Sequence, residues 1–146
     1  MADQGLAKPN VREAVPFFGV MDMAASLRFY VDGLGFAMTQ AWRPDGPDRV
    51  RWCSLRIDGA SLKLQEYLPD FRPQEKPGKG VSVCLMCEDA LAIYRDAVAK
   101  GLSPRRPFVG NNMWVVSFTD PDGYRVDFES DTDVAEETEY DATLHG

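Results

Sequence analysis

Two hairpin turns, Asp58-Gly59 and Asp122-Gly123, constrain this chain more than any other feature, because each closes the same succession of signals. Asp-Gly between alternating runs marks a tight β-hairpin, since both residues tolerate the positive φ of such turns. Ahead of the first turn lie a strand-like run, VPFFGV (15–20), and a helix that Asp22 opens. Met23, Leu27, Tyr30 and Val31 recur in it at helical spacing, and Gly33 and Gly35 stop it. Strands are predicted at 36–42, 49–57 and 60–67. Ahead of the second turn the order recurs: a strand at 80–87, then a helix from Glu88-Asp89 through Leu91, Tyr94 and Val98 to Gly101. A short segment at 107–109 and strands at 112–119 and 124–130 complete it. The plan β-α-β-β-β thus occurs twice, with Trp52 to Glu66 set against Trp114 to Glu129.

The fold class that follows is α+β, two β-α-β-β-β modules forming a curved, cupped mixed sheet with helices on its outer face. The modules span 14–67 and 80–130 of a single domain, joined by a proline-bearing linker at 68–79. An N-terminal extension (1–13) and an acidic C-terminal tail (131–146) flank them. Alternation sends Tyr124, Val126 and Phe128 to the helix-covered core and Arg125, Asp127 and Glu129 to the concave face. The same rule places Leu62 and Leu64 in the core and Ser61, Lys63 and Gln65 in the concavity.

The net charge of -7 does not describe this domain: all the excess acid lies from Glu129 onward, where seven acids meet no Lys or Arg. Such a run is expected to be a solvated, poorly ordered segment, with His145 solvated near its end. Residues 1–128 balance 16 acids against 16 bases with no one-sided basic patch, so nucleic acid is not an expected partner. No apolar stretch is long enough to span a membrane, and MADQGLAKPNVREA lacks a secretory apolar core, so a cytoplasmic protein is expected. Cys53, Cys84 and Cys87 read as free thiols. Cys84 and Cys87, three apart on a strand, point to opposite faces and do not make a metal pair.

VPFFGVMDMAASLRFYVDGLGF, taken with FTDPDGYRVDFES, resembles the vicinal oxygen chelate superfamily, the glyoxalase I, bleomycin-resistance and extradiol dioxygenase group. The resemblance covers about residues 14–130 and implies the same cupped fold. In the metalloenzymes of that group four cup positions, largely His and Glu, hold a divalent metal. Here they fall on Val15, on Lys63 to Glu66 with Gln65 the best directed, on Ser82 and on Asp127. An amide, a hydroxyl and one carboxylate make a poor transition-metal site. No cofactor is therefore expected, and a hard cation held by Gln65, Asp127 and Glu129 is the alternative. The resemblance also implies a homodimer.

Phe17, Lys63, Gln65, Ser82, Asp127 and Glu129 are predicted to line the cup, with Trp52 and Trp114 at its walls, as a small-molecule site. Val15, Ser54, Cys84 and Met86 are directed the same way. The leading functional expectation is metal-independent binding of a small organic molecule, as in the bleomycin-resistance-like branch, with toxin or antibiotic sequestration as its use. Two rivals stand beside it. One is a glyoxalase-like lyase, isomerase or dioxygenase using an atypical carboxylate-bound metal or a Lys63-carboxylate pair, which would otherwise be a salt bridge. The other is an interaction module with a filled cup. Asp120 and Asp122 read as turn-building residues, and the loops around 43–48 and Phe71 as borders of the cup.

Overall fold

A computed structural model describes residues 8–146, so the start of the extension lies outside the described residues. Among the described residues, eight strands form two four-stranded sheets, with strand orders β1-β4-β3-β2 and β5-β8-β7-β6. The first holds β1 (Phe17–Val20), β2 (Ala37–Trp42), β3 (Trp52–Ile57) and β4 (Ala60–Glu66); the second holds β5 (Ser82–Met86), β6 (Phe108–Gly110), β7 (Met113–Thr119) and β8 (Arg125–Asp131). In each sheet the first strand runs parallel to the last and the other pairings are antiparallel. This is the mixed, twice-repeated architecture that the two hairpins predict.

Each module carries its helix where the acids announce it. Asp22 caps α1 (Met23–Leu27) by accepting from the Ala25 N–H, and Asp89 caps α2 (Ala90–Ala99) by accepting from that of Ala92. The first helix continues as a π-helical stretch over Arg28–Gly33 instead of running regularly to Asp32. Tyr30 stands in that stretch, fully buried, and its hydroxyl donates to Oδ2 of Asp120 in the other module at 2.7 Å.

The modules correspond strand by strand. Glu66 accepts from the Met23 N–H as Ser130 accepts from that of Ala90, and Phe18 pairs with Leu64 as Leu85 pairs with Phe128. Leu62 then matches Val126, and Ala60 matches Tyr124. One joint between the modules is tightly made. Tyr124 stacks on Phe18 with ring centroids 3.9 Å apart, and its hydroxyl donates to the Gly19 carbonyl. Such a stack adds about 0.5–1.5 kcal/mol beyond its buried area. Asp122 Oδ1 accepts from the Met21 N–H beside it, and Gly78 packs so closely on Gly123 and Tyr124 that a Cβ there would strike their backbone.

The acidic tail departs from the sequence expectation. β8 extends to Asp131, and the chain returns along the outer edge of β6, where Val109 and Thr138, Glu137 and Val109, and Tyr140 and Pro107 form backbone hydrogen bonds. Tyr140 is buried, and a short helix, α3 (Ala142–His145), sets His145 against Trp114 at 5.0 Å between ring centroids. Apolar Val134 and Tyr140, interleaved with the acids, anchor the segment that charge alone would leave solvated.

Candidate functional site

Burial along the strands separates two faces. Phe18, Val20, Leu62, Leu64, Val126 and Phe128 join the core beneath the helices, and the opposite sheet faces are open. On the first sheet two cross-strand rows lie side by side: Phe17, Lys63, Ser54 and Gln40, then Gly19, Gln65, Trp52 and Trp42. At about 4.8 Å between strands each row spans roughly 14 Å, the width of a multi-ring organic molecule. Phe17 and Trp42 are 58% and 53% exposed. At one end the linker turns over the face, and Phe17, Gly19, Gln65, Tyr67, Leu68 and Phe71 enclose a pocket of about 390 Å³. Phe71, expected at a border of the cup, is among the residues that line this pocket.

The second sheet presents Ser82, Cys84 and Met86 on β5, and Arg125, Asp127 and Glu129 on β8. Asp127 is only 2% exposed because the Arg125 guanidinium grips both of its oxygens, at 2.9 to 3.2 Å. Cys84 lies beside Glu129; hydrogen bonding to that carboxylate, then burial, push the thiol up to about 11. Sulfur and carboxylate oxygens of Cys84, Asp127 and Glu129 lie within 4.8 Å of one another.

That cluster is the one place among the described residues where three potential metal ligands converge on this face, and its chemistry does not fit a transition metal. Metal binding would have to displace a proton that Glu129 helps the Cys84 thiol keep, and the guanidinium already neutralises the negative charge that Asp127 would offer to a cation. Val15 and Ser82, at two of the four positions that the resemblance assigns to metal, contribute a hydrocarbon and a neutral hydroxyl. Gln65 stands in the other sheet.

Of the residues predicted for the site, Phe17, Trp52, Lys63 and Gln65 share the first open face, and Ser82, Asp127 and Glu129 share the second. Trp114 is a correction. It is 6% exposed, pairs with Ser130 and Val109 on the core side, and packs on Tyr140 and His145. The match of Trp52 with Trp114 slips by one residue: Trp52 pairs with Gln65 as Val115 pairs with Glu129, so Val115 is the true counterpart. A one-residue slip on a strand reverses the face. Lys63 makes no ion pair among the described residues, and Asp127 takes Arg125 instead. Sequence reasoning missed Trp42 and Tyr67, and it put Arg125 on the concave face without its grip on Asp127. The alternation of β2 carried the signal for Trp42; Tyr67, just past β4, carried none.

A family model described as the Glyoxalase/Bleomycin resistance protein/Dioxygenase superfamily matches residues 14–128. Among solved structures, an antibiotic-binding protein from Streptomyces sp. CB03234 is 22% identical, with a TM-score of 0.63 over 85% of this chain and 100% of that one. A bleomycin-binding protein complexed with bleomycin is 22% identical, with a TM-score of 0.62 over 83% of this chain and 99% of that one. A glyoxalase-related enzyme from Clostridium phytofermentans is 18% identical, with a TM-score of 0.67 over 85% of this chain and 98% of that one. At such identities the likeness establishes the fold alone. A search of curated proteins returned no match.

Proposed function

Since the chain belongs to the glyoxalase/bleomycin resistance protein/dioxygenase superfamily, we propose that it binds a small, ring-bearing organic molecule on the open face of its first sheet, without a metal. The carrying observation is the row of Gln65, Trp52 and Trp42 running from the pocket that Phe17, Tyr67 and Phe71 enclose. Exposed aromatics collected on one face are a recognition surface, because their apolar area gains free energy only when something covers it. Lys63 and Gln65 stand among the rings as polar groups that orient the ligand. That relatives in shape include an antibiotic-binding protein and a protein complexed with bleomycin supports the same class of ligand, and sequestration of a toxic compound as its use. The reading includes a cytoplasmic homodimer, in which the exposed Met38 of β2 meets a second copy.

Titration of tryptophan fluorescence with bleomycin and with planar polyaromatic antibiotics, with and without EDTA, tests the reading. Saturable quenching indifferent to EDTA is expected. Trp52→Ala should weaken it by more than about 1 kcal/mol, roughly fivefold in Kd. Quenching that needs added metal would support the rival, a glyoxalase-like lyase, isomerase or dioxygenase working through Asp127 and Glu129. Unchanged affinity in Trp52→Ala would remove that ring from the site.

A further inference from the structure

The two joints between the modules are unequal. At one, Tyr124 fills the space over Phe18. At the other, the corresponding residues are Ala60 and Leu85, and between them opens a cleft of about 1090 Å³. Val83, Leu85, Ile93 and Phe128 wall it on the side of the second module, and Val15, Pro16, Ile57 and Ala60 on that of the first. Val83, Leu85, Ile93 and Ile57 are only half-buried, so apolar area that a phenol ring covers at the other joint here faces the opening. The volume sits slightly above the usual range for small-molecule sites, about 300–1,000 Å³.

The charge at the rim is of one sign. Glu13, Asp58, Glu88 and Asp89 border the cleft, and its lining contains no Lys or Arg among the described residues. Glu13 meets Arg56 only at 3.8 Å, and Asp89 accepts from the Ala92 N–H; Asp58 and Glu88 form no ion pair among the described residues. The N-terminus of α2 brings about half a positive charge to the same rim, which leaves most of the four carboxylates uncompensated.

We propose that this cleft is a second ligand site, distinct from the open aromatic face, and that it takes a small organic cation with an apolar body. The apolar walls cover the body, and the carboxylates at the mouth hold the charge where it stays partly hydrated, so no ion is stripped of water without a partner.

Two ions of one shape and opposite charge decide it. Isothermal titration with tetraphenylphosphonium at low salt should show saturable one-site binding, and tetraphenylborate should bind at least about tenfold more weakly. Ala60→Tyr, which installs at this joint the residue its counterpart carries, should lower phosphonium affinity more than about tenfold by filling the cleft. Asp58→Asn with Glu88→Gln, both on exposed turns and harmless to the fold, should lower it about fivefold and narrow the preference over borate. Equal affinity for the two ions, or phosphonium affinity unchanged in the charge variant, would overturn the inference. Loss of binding in Trp52→Ala with retention in Ala60→Tyr would place the cation on the open face and overturn it as well.

Discussion

Tyr30→Phe removes one oxygen from the centre of the molecule. The Tyr30 hydroxyl gives Asp120 Oδ2 its donor at 2.7 Å, and Oδ1 is occupied by the N–H groups of Asp122 and Tyr124. Both side chains are buried, so no water replaces the lost donor. A hydrogen bond to a charged group contributes about 1.5–3 kcal/mol, and the orphaned carboxylate oxygen puts this case in the upper part of that range, about 2–3 kcal/mol. For a chain of this length the melting temperature should fall by about 4–12 °C. Burial already holds the Asp120 carboxyl above its ordinary range despite its three donors, and losing the tyrosine raises it further. The variant therefore takes up its proton at higher pH than the parent, and once both are protonated the missing bond matters less. Urea unfolding at pH 7 and pH 4.5 measures both effects: a large deficit at neutral pH that shrinks on acidification. A deficit under about 0.5 kcal/mol, or one that grows on acidification, would refute the argument.

Asp122 is also raised, chiefly by burial. Between the unfolded value near 4 and that raised value the folded state binds more protons, so stability falls as pH rises through the window; Asp122→Asn should flatten the profile and gain most at pH 7. The Cys84 thiol, exposed yet pushed up to about 11, should alkylate slowly at pH 8 by peptide-resolved mass spectrometry, and Glu129→Gln should speed it at that pH. Elemental analysis after equilibration with Zn²⁺ and Mn²⁺ should find no stoichiometric metal in the parent protein. Arg125→Met, which frees Asp127, should retain more; equal retention would mean that the guanidinium is not what keeps cations out.

Much of the fold is written in local signals. Asp22 and Asp89 cap helices because a short carboxylate reaches the first-turn N–H groups wherever an apolar helix face follows, and both do so here. Alternation fixed the sides of Leu62, Leu64, Val126 and Phe128 for the same reason. What was not legible depends on register. The first hairpin closes at Ile57 and Ala60, the second at Thr119 and Arg125 around a longer turn, and that difference in loop length displaced Trp114 by one residue and hence to the other face. The Tyr30–Asp120 bond crosses 90 residues, and no pattern within either module announces it.

The contrast between Tyr124 and Ala60 has a bearing on how such an architecture diversifies. A symmetric pair of identical single modules must carry the same residue at both of its joints, so a mutation that hollows one hollows the other and weakens the assembly twice. Two modules on one chain are released from that obligation: one joint can stay filled and hold the halves together while its twin drifts open. Duplication within a single chain gives this scaffold a spare copy of its own seam, free to change chemistry without endangering the fold.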